Sequence, residues 1–97
     1  MKPRFTIDGD DGLEKHLART CHRVEKSVRR IVPGGKIDTL MLGGGYGRGQ
    51  GGVLKTDSGD KPYNDLEFYV CLRCNELLNQ REYHRASHRQ MEWHVLV

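Results

Sequence analysis

Residues 63–70 read YNDLEFYV, and the alternation of polar and apolar side chains in this segment predicts a half-buried β-strand. Successive side chains of a strand point to opposite faces, so Asp65 and Glu67 share one face of a strand that we predict over residues 65–72. The apolar residues between them face the other way and can pack on a core. Two neighbouring carboxylates raise each other's pKa unless a cation lies between them. Mg²⁺, which prefers oxygen ligands, is the expected cation.

A glycine-dense segment, residues 43–52, lies upstream and directly follows an apolar run at 37–42 that predicts a short buried strand. Glycine reaches positive φ and lets another group approach the backbone closely. A turn of this kind directs several backbone N–H groups at one point, which favours a phosphate, and Arg48 could add its guanidinium to the same ligand. The segment has no Gly-Lys-Ser/Thr as in a P-loop, and the dinucleotide-binding pattern fails because Arg48 occupies its third glycine position.

The other predicted elements complete an α/β domain. Residues 10–32 predict an amphipathic helix, residues 55–64 a loop, residues 75–90 a polar helix and residues 91–97 a third strand. The first helix repeats apolar residues at steps of three and four, at Leu13, Leu17, Cys21, Val24, Val28 and Ile31. Its opposite face is basic, which is typical of a solvent-facing surface and less often of a substrate or RNA contact. We therefore expect a small mixed β-sheet with flanking helices.

Length and composition limit the range of functions. A chain of 97 residues suffices for one small domain, which we take to span residues 1–97. Hydrophobic residues make up only 36% of it, which favours the N-terminal part of a larger protein or a chain that depends on a partner. The net charge of +3 suits an anionic nucleotide without requiring nucleic acid. Three cysteines, with no apolar run that predicts a signal peptide or a membrane span, favour the cytoplasm.

The two motifs together resemble those of the DNA polymerase beta-like nucleotidyltransferase superfamily. Residues 44–49, GGYGRG, are similar to its Gly-Ser-x-Ala-Arg-Gly motif, with glycine in the serine and alanine positions. Residues 64–68, NDLEF, are similar to its Ser-Asp-hydrophobic-Asp-hydrophobic motif, with glutamate as the second acid. The resemblance covers residues 37–72 and implies the fold of that family's catalytic core.

The resemblance also implies a function. Gly44 and Gly45 would contact the phosphates of a nucleoside triphosphate, and Asp65 and Glu67 would bind two magnesium ions. The reaction would move a nucleoside monophosphate onto a hydroxyl acceptor and release pyrophosphate. The family has a third carboxylate on a later strand, for which Glu92 is the candidate here. Neither the acceptor nor the preferred base can be read from the residues, since the acceptor could be an antibiotic, a protein side chain or an RNA end.

Two alternatives remain open at this point. The first is the same fold without catalysis, holding a nucleotide or a partner protein. The second is a small zinc-binding domain, because Cys71 and Cys74 form a Cys-x-x-Cys pair and His84 and His88 follow at helical i, i+4 spacing. The spacer between the two pairs is shorter than in typical zinc fingers, which weakens the second alternative.

Overall fold

The computed structural model describes residues 4–32, 34–73 and 83–96. In chain order, the elements are α1 (Asp11–Ile31), a 3₁₀ turn (Gly34–Lys36), β1 (Ile37–Leu42), α2 (Gly44–Gly47), β2 (Val53–Thr56), β3 (Gly59–Pro62), β4 (Leu66–Leu72), β5 (Tyr83–His88) and β6 (Met91–Leu96). No helix among the described residues is both long and apolar enough to cross a membrane.

Four of the strands form one mixed sheet in the order β1-β4-β6-β5. The β4 and β6 strands are parallel, whereas β1 pairs antiparallel with β4 and β5 pairs antiparallel with β6. The expected class, a small α/β domain with a mixed sheet, is confirmed. In a parallel pair, matched residues lie side by side about 4.8 Å apart, so β4 and β6 present their alternate side chains in register on both faces.

The core lies between α1 and one face of this sheet. The helix begins after Asp10, whose carboxylate accepts a hydrogen bond of 2.7 Å from the Leu13 N–H and so caps the helix. Its apolar stripe packs against Leu66 and Phe68 of β4, and Phe68 stacks on Trp93 of β6 with ring centroids 5.1 Å apart. Because strand side chains alternate, the residues between these positions point to the opposite face of the sheet.

The predicted polar helix over residues 75–90 is wrong for its described part. Residues 83–88 form the edge strand β5, and a two-residue turn at Arg89 and Gln90 joins β5 to β6. Both turn residues have positive φ, at 49° and 62°, the conformation that joins tightly twisted hairpin strands. Hydrogen bonding to β6 outweighs the weak helical pattern of a polar segment, and Arg-Gln is not a sequence pair that signals such a turn.

The predicted loop over residues 55–64 is also wrong, because β2 and β3 form a separate antiparallel hairpin. Its turn ends at Gly59, whose φ is +114°. The hairpin docks on the start of α1, where the Asp10 N–H donates to the Asp60 carboxylate at 2.8 Å and the Asp60 N–H donates to the Asp10 carboxylate at 3.1 Å. A hydrogen bond from Lys55 also lowers the pKa of Asp60. The segment between the two sequence motifs therefore contains a β-hairpin that packs on α1.

Candidate active site

Two of the acidic residues singled out in the sequence, Glu67 and Glu92, lie on the sheet face opposite α1. Glu67 of β4 is the register partner of Glu92 of β6, so both side chains leave the sheet on the same face. Asp65 immediately precedes β4 and is exposed. The parallel pairing brings together Glu67 and Glu92, which are 25 residues apart in sequence.

The glycine turn lies directly against these acids. The Gly43 N–H donates a 2.8 Å hydrogen bond to the Glu67 carbonyl, which attaches the turn to β4. Gly44 has φ of +63°, and the Glu67 carboxylate occupies the space that a Cβ at Gly44 would need. Glycine is therefore required there both by backbone conformation and by the approach of the acid. Gly44 and Gly45 open α2, and the N–H groups of the first residues of a helix have no acceptor within that helix.

Tyr46 fixes the glycine segment in place. Its ring is buried, and a Cβ at Gly51 would overlap it. The Tyr46 hydroxyl donates to the Gly52 carbonyl at 2.6 Å and accepts from the Asn64 N–H at 3.1 Å. Since Asn64 precedes Asp65, one buried side chain sets the position of both sequence motifs. The sequence interpretation missed this role, although an aromatic residue inside a glycine run is the signal that could have revealed it.

These parts surround one open cavity of about 520 Å³, a size typical of sites for small ligands. Its lining contains Gly45, Tyr46, Gln50, Gly51, Gly52, Tyr63, Asn64, Asp65, Glu67 and Glu92. The described structure thus brings part of the glycine segment and all three candidate acids to a single cavity, whereas Gly44, the other glycine expected to contact the phosphates, does not line it. Arg48, which we expected to contact the phosphates, is exposed at the end of α2 and does not line the cavity.

His94 joins the acids and was missed in the sequence. Its Nε2 lies 3.8 Å from a Glu67 carboxylate oxygen and 3.6 Å from a Glu92 oxygen. Donor atoms of these three residues all lie within 4.8 Å of one another. The His94 side chain is only 11% exposed, and its buried Nε2 has no hydrogen-bond partner among the residues that the structure describes. Period-two spacing from Glu92 on a predicted strand is the signal that could have found it.

Two tyrosines and an arginine surround this cluster. The His94 ring stacks on Tyr69 with centroids 4.4 Å apart, and its Nδ1 contacts the Tyr83 hydroxyl. The Arg85 guanidinium forms an ion pair with the Glu92 carboxylate. Arg85 and Tyr83 belong to β5, so the wrong helix prediction for this segment concealed both contacts.

The helical spacing on which the zinc alternative relied is wrong. His84 and His88 lie on the strand β5, where residues four apart are separated by roughly 13 Å. This separation of backbone positions is more than twice that of the helical i, i+4 pair, so the spacing argument for a shared ion no longer applies. Cys71 lies in β4, and Cys74 lies outside the described residues.

No family model matches this chain, and neither a curated protein nor a solved structure matches it.

Proposed function

We propose that this chain is a nucleotidyltransferase core, dependent on divalent metal ions with Mg²⁺ as the expected ion. It would transfer a nucleoside monophosphate from a nucleoside triphosphate to a hydroxyl acceptor. The observation that carries the proposal is the single cavity lined by Gly45, Asp65, Glu67 and Glu92. A triphosphate requires both backbone donors and neutralising cations, and this cavity offers N–H groups beside carboxylates.

The donor set fits a divalent cation. Glu67, Glu92 and His94 place their donor atoms within 4.8 Å of one another, and within the described part of the chain the buried Nε2 of His94 has no hydrogen-bond partner. Ions bound there and by Asp65 would neutralise charge on the attacking and leaving oxygens. The N–H groups of Gly44 and Gly45 would hold the phosphates beside the acids.

In the proposed reaction the acceptor oxygen bonds to the α-phosphorus. The bond from that phosphorus to the oxygen bridging the α- and β-phosphates breaks, and pyrophosphate leaves. Glu92 would accept the proton of the acceptor hydroxyl. The chain's own contribution is then positioning and electrostatics, with one carboxylate acting as base.

One observation favours a second candidate, a nucleotide-binding module of the same fold without transfer. Arg85 already forms an ion pair with Glu92, so its guanidinium occupies a carboxylate oxygen that the acceptor hydroxyl would have to approach. In that case the chain would bind a metal-chelated nucleotide and release no pyrophosphate.

Calorimetric titration with ATP, CTP, GTP and UTP, with and without Mg²⁺, tests the nucleotide site. We expect metal-dependent binding of at least one nucleotide, weakened by about ten-fold or more in Glu67→Gln because a metal-binding carboxylate is lost. Glu25→Gln makes the same chemical change on the far surface of α1 and should bind as the unaltered chain does. If Asp65→Asn and Glu67→Gln both bind nucleotide as tightly as the unaltered chain, the site assignment is wrong.

Pyrophosphate release with candidate hydroxyl acceptors separates the two functions. An enzyme should release it, and Glu92→Gln should abolish the release. Because Glu92 is also a proposed metal ligand, nucleotide binding to Glu92→Gln should weaken as it does in Glu67→Gln, so the release is measured at a nucleotide concentration that saturates the variant. Binding with no release from the unaltered chain, with any acceptor tried, supports the non-catalytic module.

A further inference from the structure

The His94 imidazole introduces a nitrogen donor into a site that the sequence describes as purely carboxylate. His94 alternates with Trp93, which packs in the core, so the strand itself turns the imidazole toward Glu67 and Glu92. The distances of 3.6 and 3.8 Å from Nε2 to the carboxylate oxygens exceed those of hydrogen bonds. They match the separations of roughly 3–4 Å between donor atoms bound about 2.1 Å from one ion.

The surroundings of His94 favour ligation through Nε2. Nδ1 contacts the Tyr83 hydroxyl, whose oxygen can accept a hydrogen bond from an Nδ1–H group. In that tautomer Nε2 carries no proton, and its lone pair is free to bind a metal. Stacking on Tyr69 holds the plane of the ring. A histidine that ligates a metal is ordinarily oriented in this way by a contact to its other nitrogen. A buried nitrogen with no hydrogen bond is costly, and a bound cation would satisfy it.

We propose that His94 ligates a divalent ion together with Glu67 and Glu92, and that this ion is a first-row transition metal in preference to Mg²⁺. Imidazole suits transition metals, whereas Mg²⁺ prefers oxygen ligands throughout. The inference deepens the proposed function by naming the cation at one of its two metal positions, and it rests on that function for the role of the ion. The ion binds before any nucleotide, because all three donors come from the protein.

Electron spin echo spectroscopy of Mn²⁺ added to the nucleotide-free chain tests this directly, because it detects nitrogen bound to the metal. We expect ¹⁴N modulation from the unaltered chain, its replacement by ¹⁵N modulation after labelling with ¹⁵N-histidine, and its loss in His94→Gln. The matched control His22→Gln changes an exposed histidine of α1 and should keep the modulation.

Competition between Mn²⁺ and Mg²⁺ gives the second readout. We expect His94→Gln to weaken Mn²⁺ binding by about ten- to a hundred-fold and Mg²⁺ binding by less than about three-fold. The inference is overturned if the unaltered chain gives no nitrogen modulation, if the modulation persists in His94→Gln, or if Mn²⁺ binds no more tightly than Mg²⁺.

Two results keep this test independent of folding and of the proposed function. If His94→Gln does not fold, a chain with His16, His22, His84 and His88 all replaced by glutamine leaves His94 as its one imidazole and must retain the modulation. Nitrogen ligation in a chain that binds no nucleotide would support this inference and overturn the proposed function. Nucleotide binding that depends on the carboxylates, without nitrogen ligation, would support the proposed function and overturn this inference.

Discussion

At single positions, the site depends on the lack of a side chain as well as on the side chains that are present. Gly44 combines a positive φ with a carboxylate lying where its side chain would be. The segment that a sequence interpretation treats as a phosphate turn therefore also accommodates Glu67. A motif glycine of this kind has two separate physical requirements, and a single substitution violates both.

Gly44→Ala should lower the free energy of unfolding by about 1–2 kcal/mol through the left-handed backbone alone, with a further loss from displacing Glu67. Divalent-ion binding should weaken in the same variant, because the displaced carboxylate is a proposed ligand. Denaturant unfolding and Mn²⁺ titration measure the two effects. Gly35→Ala is the matched control, since a Cβ there meets no atom within 4 Å; equal losses in both variants would contradict the explanation.

At the scale of elements, the segment before α1 connects the helix to the glycine segment. The Glu14 carboxylate of α1 accepts hydrogen bonds from the N–H groups of Phe5 and Thr6 and from the Thr6 hydroxyl. Thr6 is 1% exposed and bridges to Gly51, whose N–H donates to the Phe5 carbonyl at 2.9 Å. Short polar segments give no periodic signal, so nothing in the sequence predicts this connection.

Because of these contacts, the free energy of unfolding depends on pH through the ionisation of Glu14. Burial tends to raise the pKa of Glu14, but the hydrogen bonds from Thr6 and Phe5 and the charge of Arg4 outweigh it, so the pKa is lowered. A lowered folded-state pKa stabilises the protein above the unfolded value of about 4.3, and this stabilisation disappears as the pH falls through the folded value.

Glu14→Gln should therefore be less stable than the unaltered chain near neutral pH, and the difference should shrink as the pH falls below about 4.3. Urea unfolding at a series of pH values measures it. Glu25→Gln removes a carboxylate that is 49% exposed and pairs with Arg29 on the surface, so it should have little effect. A gap between Glu14→Gln and the unaltered chain that stays constant with pH would rule out this linkage.

At the scale of the whole molecule, one layer of apolar contacts supports the site from behind. Leu17 of α1 is completely buried in the cluster that includes Leu66 and Phe68, and those residues alternate with Glu67 along β4. The sheet therefore presents acids on one face because its other face is held against a helix. Stability and site geometry have a common origin in this packing.

Leu17→Ala should lower the free energy of unfolding by about 2–5 kcal/mol, since it leaves a cavity beside β4. In a chain this small, that is a large share of the total stability. Ile31→Ala serves as control, because Ile31 at the end of the same helix is 79% exposed and its truncation should cost little. Thermal and denaturant unfolding of both variants measure these changes. Similar decreases in the free energy of unfolding for the two variants would mean that α1 is not packed as described.

Elements with strong local patterns could be predicted from the amino-acid sequence. The apolar stripe of α1 and the strands β1, β4 and β6 follow from periodicity, which acts over a few residues. Alternation along a strand places acidic side chains on one face, but it does not predict which residues of other strands lie beside them.

Which distant residues meet depends on the pairing of strands that are far apart in sequence. Strand pairing turned residues 83–88 into β5 and brought Arg85 to Glu92, and the parallel register of β4 and β6 placed His94 beside Glu67. Hydrogen bonding between strands is a non-local interaction, so its partners and register are not encoded in any short window of sequence. The position of the His94 imidazole beside Glu67 and Glu92 is a contact of this non-local kind.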